Sequence, residues 1–285
     1  MMQMVIDGRN IAKSIREKVK SEIFEKNYHP KLAILVAGND EASLIYANTK
    51  IKACANVGID AYTYFFTNDE EDKFLKKLDE LNTDDSIHGI MIEMPLPKSY
   101  DAQRIYDLIN PIKDVDCIST YNMGRLFSGN PLYLPCTPYA ILTILKSLDI
   151  EYTGKHAVVV GRSNILGKPV AKLMLDLDMT VTQCHSKTLN LEEYTKTADV
   201  LVLAVGKRNL VNGDMIKNGV VLIDAGINEY NGKIYGDCDF QSVEGSCSYI
   251  TPVPGGVGPV TTSIVLSNTL EAYKNVIKNS NGKTS

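Results

Sequence analysis

Tyr46 and Lys50 stand four residues apart in "YANTK", so a helix through "ASLIYANTKIKACANVGI" carries them on one face. Spacing alone favours a solvated Lys whose stem covers the aromatic ring. The other reading is a catalytic phenol–ammonium pair. A second chemical feature follows the strand-like run "HAVVVG". There "GRSNILGKP" places Gly161 at a turn and Gly167 where a helix starts, an arrangement that lets a pyrophosphate reach backbone and a helix N-terminus. A plain tight turn explains two glycines equally well, but their position between strand and helix favours the dinucleotide reading. At the end of the next strand, "CHSKT" offers Cys184, His185, Ser186, Lys187 and Thr188 where an NAD site usually has Asp or Glu. Arg162 and Ser163 follow the first glycine, and Arg suits a phosphate better than a hydroxyl, so NADP is expected over a merely solvated basic loop. His185 is expected to be structural or to lie beside a ribose. The stretch Thr251–Thr262 holds three prolines and three glycines, which serves a rigid connector or a surface closely approached by ligand equally well.

These residues need elements to hold them. Ile11, Ile15, Val19 and Ile23 mark an early amphipathic helix. "KLAILVAG", "DAYTYFF" and "IHGIMIEM" read as strands alternating with the YANTK helix, which closes near Gly58, and the polar helix "DEEDKFLKKLDEL". The prolines of "PLP" end the third strand. "CTPYAILTILKSL" starts a linking helix, and "HAVVVG", "TVTQCHS", "DVLVLAVG" and "VVLIDAGI" alternate with helices in a second wound sheet. "TTSIVLSNTLEAYKNVI" forms a final amphipathic helix, and "KNSNGKTS" is expected to fray.

Bulk composition narrows the partners. A chain of 285 residues has room for about two domains. Its net charge of −4 argues against nucleic acid or an anionic membrane as main partner. No apolar run is long enough for a membrane span, and "MMQMVIDGRN" lacks a signal peptide's apolar core. The cysteines, Cys54, Cys117, Cys136, Cys184, Cys238 and Cys247, form no CxxC pair, and the four His have no metal-ligand spacing. A metal-free enzyme of a reducing cytoplasm is expected.

The chain resembles the bifunctional methylenetetrahydrofolate dehydrogenase/methenyltetrahydrofolate cyclohydrolase family over nearly its whole length. The resemblance rests, in order, on "YANTK", "PLP", "KDVDC", "PCTP", "VVGRSNILGKPVA", "CHSKT", "IDAGIN", "GDCDF" and "TPVPGGVGPVT". It implies two α/β domains flanking a cleft, the second a Rossmann-like doubly wound parallel sheet. Residues 1–136 would be the folate-binding catalytic domain, with the helix 262–280 returning to it, and 137–261 the NADP-binding domain. It implies a cytoplasmic homodimer acting on tetrahydrofolate one-carbon derivatives in one-carbon metabolism and purine biosynthesis. Carried over by position, Lys50 is the catalytic lysine, and Tyr46 packs against the aminobenzoyl group. Asp116 hydrogen-bonds the pterin, a residue that without the resemblance reads better as a helix cap or surface charge. Gly161, Arg162, Ser163 and Ser186 meet the cofactor's phosphate-bearing half. Ile227, Gly256 and Thr261 line the nicotinamide side, and Pro254 and Gly255 the substrate side.

Two positions depart from the family pattern. "IEMPLP" carries Glu93 where the family commonly has Gln, the partner of the lysine. An ionised Glu only accepts, and its charge favours a lysine kept as ammonium, a poor proton acceptor; hydrolysis weak relative to hydride transfer is the expectation. Cys117 stands where the family usually has Gly, so a positive φ there would be strained. Two competing readings remain. A short-chain dehydrogenase also spaces Tyr and Lys by four, but its glycine turn precedes that helix instead of following it. A non-catalytic nucleotide-binding regulator would keep the cofactor turn without hydride transfer.

Overall fold

The computed structural model describes residues 4–38 and 41–282. They form two units, one of Lys13–Cys136 with the chain from Thr262 onward, the other of the chain through Ala12 with Thr137–Thr261. The chain passes from one to the other inside three helices. These are α1 (Gly8–Lys26), which follows the two-residue strand β1 (Met4–Val5), then α6 (Cys136–Lys146) and α10 (Val257–Gly282).

The first unit is built on a three-stranded parallel sheet. Its strands β2 (Lys31–Ala37), β3 (Asp60–Phe66) and β4 (Gly89–Ile92) lie in the order β3-β2-β4. Helices α2 (Glu41–Val57) and α3 (Glu71–Thr83) make the parallel crossovers. β2 is central, which explains why "LAILVA" is apolar without alternation: both faces are covered. Beyond β4, Ile90 N donates to Lys113 O (2.7 Å), so 113–115 runs alongside the strand and delivers the next residues to its C-terminal end. Two short helices, α4 (Ala102–Asp107) and α5 (Thr120–Phe127), complete the chain up to α6.

The second unit holds a six-stranded parallel sheet. Its strands are β5 (His156–Val160), β6 (Thr180–Cys184), β7 (Val200–Leu203), β8 (Val220–Asp224) and β11 (Cys247–Ile250), with β1 at the edge. The order is β1-β11-β8-β7-β5-β6. Helices α7 (Gly167–Leu175) and α8 (Leu191–Thr195) follow β5 and β6, and α9 (Phe240–Val243) precedes β11. A hairpin of β9 (Asn228–Tyr230) and β10 (Lys233–Tyr235) leaves the end of β8. The chain reverses direction across the sheet between β5 and β7. In such sheets the crevice beyond the strands' C-terminal ends at that point is the ligand site. Its core is Val158, Val160, Leu201, Leu203 and Leu222 with the apolar side chains around them.

The sequence expectations need correction at two places. β1 pairs with β11 (Met4 opposite Tyr249), so the first residues join the six-stranded unit, although the reading of 1–136 as one domain put them with the other. The last helix starts at Val257, four residues before "TTSIV", and continues to Gly282, so 278–282 is helical where fraying was expected. Pro259 is tolerated in the first turn, where an N–H has no intrahelical partner, and a helix nucleated on its buried stripe adds later residues at little cost. Residues 283–285 of that tail lie outside the described residues. Among the described residues no helix is long and apolar enough to cross a membrane.

Candidate active site

Ala47, Lys50, Cys54 and Val57 follow one another at spacings of three, four and three, and all are buried. Lys50 therefore lies on the core-facing stripe of α2, not in solvent, which removes the solvated-lysine reading. Its Nζ is 2.6 Å from Oε1 and 2.8 Å from Oε2 of Glu93, the residue after β4. Glu93 is itself held by its backbone N–H, which donates to Leu35 O on β2 (2.9 Å). Only 8% of Lys50 and 6% of Glu93 is exposed. A desolvated pair of this kind contributes little to stability relative to an apolar pair of the same size, and losing one partner costs about 3–5 kcal/mol. Stability therefore does not account for the pair, and a buried ammonium with both carboxylate oxygens on it suits chemistry. Tyr46, 38% exposed, keeps its ring centroid 6.0 Å from the ammonium.

Asp116 joins this pair through the 113–115 segment. Burial pushes its carboxyl up to about 6, against the lowering effects of a hydrogen bond to Cys136 and the Lys50 charge; Asp114 and Glu93 add repulsion. The family resemblance points to Asp116 but not to the residue that fixes it. Asp114 is fully buried and accepts from Ile118 N (3.1 Å), Ser119 N (3.0 Å), Ser119 Oγ (2.7 Å) and Asn122 Nδ2 (2.9 Å). This closes the loop around Cys117, whose φ of 55° is left-handed, so the strained case holds there, at a cost of order 1 kcal/mol. Asn268 of α10, also missed, donates to Val115 O (2.8 Å) and Leu134 O (3.0 Å), tying Asp116's neighbours to "PCTP". Only the "KDVDC" spacing hinted at Asp114; nothing local marks Asn268. Burial raises the Cys54 thiol to about 12 and Cys136 well above its usual value, so neither is a thiolate nucleophile at neutral pH.

In the other unit, Gly161 leaves β5 with φ 136°, and a Cβ there would lie 2.3 Å from Ala204 O at the end of β7. Gly167 opens α7, where a Cβ would meet Gly161 O at 2.3 Å. Bare backbone therefore lines the reversal point of the sheet. Ser163 Oγ accepts from Leu166 N (3.2 Å) and Gly167 N (3.3 Å), setting the start of α7. Val160 pairs with Cys184, so Arg162 and Ser163 leave the sheet at the same end as Ser186, all three exposed. No carboxylate lies in 185–188. His185 Nδ1 accepts from Lys187 N (3.1 Å), a structural role in that turn. Gly255 (φ 113°) and Gly256 are buried, Pro254 is exposed, and Val253–Pro254 is cis. Ile227 is 53% exposed, and Thr261 Oγ1 donates to Val257 O (3.2 Å).

A parallel α/β sheet whose glycine turn sits at its reversal point, paired in one chain with a buried lysine–carboxylate site, defines an enzyme of the dinucleotide-binding class. Comparison with known proteins specifies it further. The model for the tetrahydrofolate dehydrogenase/cyclohydrolase catalytic domain matches residues 6–116, and that for its NAD(P)-binding domain matches 135–277. The chain belongs to this family. It is 63% identical over 278 residues (98% of this chain, 99% of the relative) to the bifunctional protein FolD of Caldanaerobacter subterraneus subsp. tengcongensis. It is 47% identical to that of Campylobacter hominis (96% and 98%). The fold is similar to the crystal structure of the bifunctional enzyme FolD from Campylobacter jejuni, with TM-score 0.92 and 40% identity over 96% of this chain and 99% of that one. It is also similar to the Trypanosoma brucei dehydrogenase-cyclohydrolase complexed with NADP and inhibitor, with TM-score 0.93 and 34% identity over 97% and 99%.

Proposed function

We propose that this chain oxidises methylenetetrahydrofolate to methenyltetrahydrofolate with NADP and hydrolyses that product to formyltetrahydrofolate. The observation that carries the reading is the buried Lys50–Glu93 pair beside Asp116. The relatives named above, matched along nearly their full length, are bifunctional by name, which leaves the regulator reading and the loss of hydrolysis unfavoured.

NADP fits the residues present. A Cβ would fill the cradle at Gly161 and Gly167, and Arg162 with Ser163 and Ser186 supplies cationic and hydroxyl donors with no opposing carboxylate. In this assignment Arg162, Ser163 and Ser186 hold the adenosine phosphate, and Ile227, Gly256 and Thr261 bound the nicotinamide. Pro254 and Gly255 bound the folate. NADP supplies a two-electron acceptor for the hydride that leaves the one-carbon bridge.

The remaining steps fall to side chains. The Tyr46 ring stacks against the aminobenzoyl group, and Asp116, ionised above about pH 6, accepts pterin N–H bonds and fixes the distal end. Loss of hydride leaves a methenyl cation whose carbon accepts a water oxygen. Lys50 orients that oxygen and moves its proton; cleavage of one C–N bond then opens the ring to the formyl product. Glu93 holds the Lys50 ammonium through both carboxylate oxygens and so restrains it. The proposal extends to a homodimer built through the six-stranded unit, operating in the cytoplasm and feeding purine biosynthesis; six buried free thiols suit a reducing compartment.

The experiment is spectrophotometric turnover of the purified protein. NADP reduction should depend on methylenetetrahydrofolate, and methenyltetrahydrofolate should be hydrolysed without cofactor. Absence of both reactions in a folded protein would overturn the assignment.

A further inference from the structure

Two of the strings that carry the resemblance, "IDAGIN" and "GDCDF", contribute a pair of buried carboxylates that no step above uses. Asp237 is fully buried. Its Oδ2 accepts from Val205 N (2.7 Å) and Gly206 N (3.0 Å), and its Oδ1 from Lys207 N (2.7 Å) and Asn228 Nδ2 (3.0 Å). Four donors saturate the carboxylate. Its own backbone N–H donates to Asp224 Oδ1 (3.0 Å), and Asp224 also accepts from Gly226 N (2.9 Å) and Cys238 N (2.8 Å). The fit leaves no slack: a Cβ on Gly226 would lie 2.2 Å from the Asp237 carboxylate.

The three residues so gripped follow β7 at the sheet's reversal point, directly after the Ala204 carbonyl that abuts Gly161. Successive backbone N–H groups in such a turn ordinarily make an anion-binding concavity. Here the protein's own carboxylate occupies it, so this turn has no N–H left for a phosphate. The side chains it exposes are those of Val205, 45% exposed, and Lys207, and a Cβ on Gly206 would stand 4.0 Å from the backbone oxygen of Ile227, itself 53% exposed. The next residue is anchored as well. The Arg208 guanidinium lies 4.6 Å from the Tyr230 ring centroid and 4.1 Å from that of Tyr235 on the β9–β10 hairpin. Leu210 N donates to Asp237 O (2.7 Å).

We propose that Asp237 is a positioning residue for the dinucleotide: its carboxylate neutralises the N–H groups of 205–207 and sets Val205 beside Ile227 as an apolar shelf for the uncharged face of the cofactor's ring. The inference rests on the NADP reading of this unit and adds to it a division of labour. The Gly161 turn takes the phosphates, and the 205–207 turn, its donors already engaged, takes an apolar surface. Asp237→Asn puts an amide NH₂ against two N–H donors, those of Val205 and Gly206 or those of Lys207 and Asn228, and breaks this arrangement.

The test uses the full chain, with NADP affinity measured by titration calorimetry, amide exchange at 205–207 in the cofactor-free protein, and cofactor-independent hydrolysis of methenyltetrahydrofolate as the control for folding. Asp237→Asn should weaken NADP about tenfold and speed exchange at 205–207, while hydrolysis stays close to wild type. Lys207→Pro, which deletes one of the three N–H donors from an exposed position, should weaken NADP in the same direction. Wild-type affinity in both variants would overturn the proposal, and so would parallel loss of affinity and hydrolysis in both, which marks a folding residue. A wild-type protein that binds NADP without oxidising the folate would sink the functional reading alone, leaving the affinity ratios to judge Asp237.

Discussion

Around Lys50 the three-stranded unit buries charge, whereas around Gly161 the six-stranded unit removes side chains. The first site consists of an ammonium, two carboxylates and the Cys136 thiol, held by α2, the end of β4, the loop after Lys113 and the start of α6. The second consists of backbone at a sheet reversal, with glycines where any Cβ would collide. The difference follows from the tasks proposed for them. Moving a proton needs ionisable groups in a medium of low dielectric, where a charge acts strongly on its neighbours. Holding a pyrophosphate needs close approach to N–H groups, which side chains would prevent. The two sites should therefore fail in different ways.

Lys50 itself apart, the largest effect is expected at Gly161. Gly161→Ala places a methyl group 2.3 Å from Ala204 O, and the backbone must shift by about an ångström at the phosphate cradle. NADP-dependent oxidation should fall on the order of 100-fold in kcat/KM, with methenyltetrahydrofolate hydrolysis retained. Equal loss of both in a folded variant would erase the contrast. Arg162→Ala is expected to raise the KM for NADP roughly tenfold, the value of one charge-assisted phosphate contact, with little change for NAD. Equal losses with the two cofactors would remove Arg162 from the phosphate site.

Around Lys50, the neighbours Glu93 and Asp116 are expected to show smaller effects. Both oxygens of Glu93 engage the Lys50 ammonium, so Glu93 competes with the reacting oxygen for that group. Glu93→Gln should raise hydrolysis several-fold relative to hydride transfer; an unchanged ratio would show that the carboxylate does not tune the lysine. For Asp116, whose carboxyl is raised to about 6, the sign runs opposite to that of a usual salt-bridged acid. The folded state holds this proton more tightly than the unfolded state, so Asp116 adds stability as pH falls from above 6 towards 4. Recognition changes the other way. Below about pH 6 the neutral carboxyl loses its charge-assisted bonds, and the KM for the folate should rise modestly. Asp116→Asn should flatten that pH profile, and a profile that keeps its shape would assign the titration elsewhere.

Most of this contrast is legible in the chain itself, because the glycine turn and the strands around it are local patterns. "HAVVVG" followed by Gly161 and Gly167 is a strand, turn and helix start whose meaning needs only neighbouring residues. Lys50 is different. Its spacing from Tyr46 fits a solvated residue equally well, and only the burial of Ala47, Cys54 and Val57 beside it shows which way it points. Asp114, Asn268 and Asp237 were not identified, since each acts by accepting or donating bonds across turns or long chain separations that no periodicity encodes. The short strand β1 is hidden for a related reason: two residues at the start of the chain become a strand only because β11 offers them an edge.

The account stands or falls on Lys50. Lys50→Met keeps the apolar stem in its slot between Ala47 and Cys54 and deletes the ammonium. Single-turnover rates of both reactions on this variant, with NADP saturating, separate the two kinds of site. Hydrolysis of methenyltetrahydrofolate should collapse by two orders of magnitude or more, roughly the share expected of a positioned proton-transfer group, while hydride transfer, which depends on placement, falls far less. Hydrolysis at the wild-type rate would contradict the account and leave Lys50 as a packing residue whose charge serves only to balance Glu93.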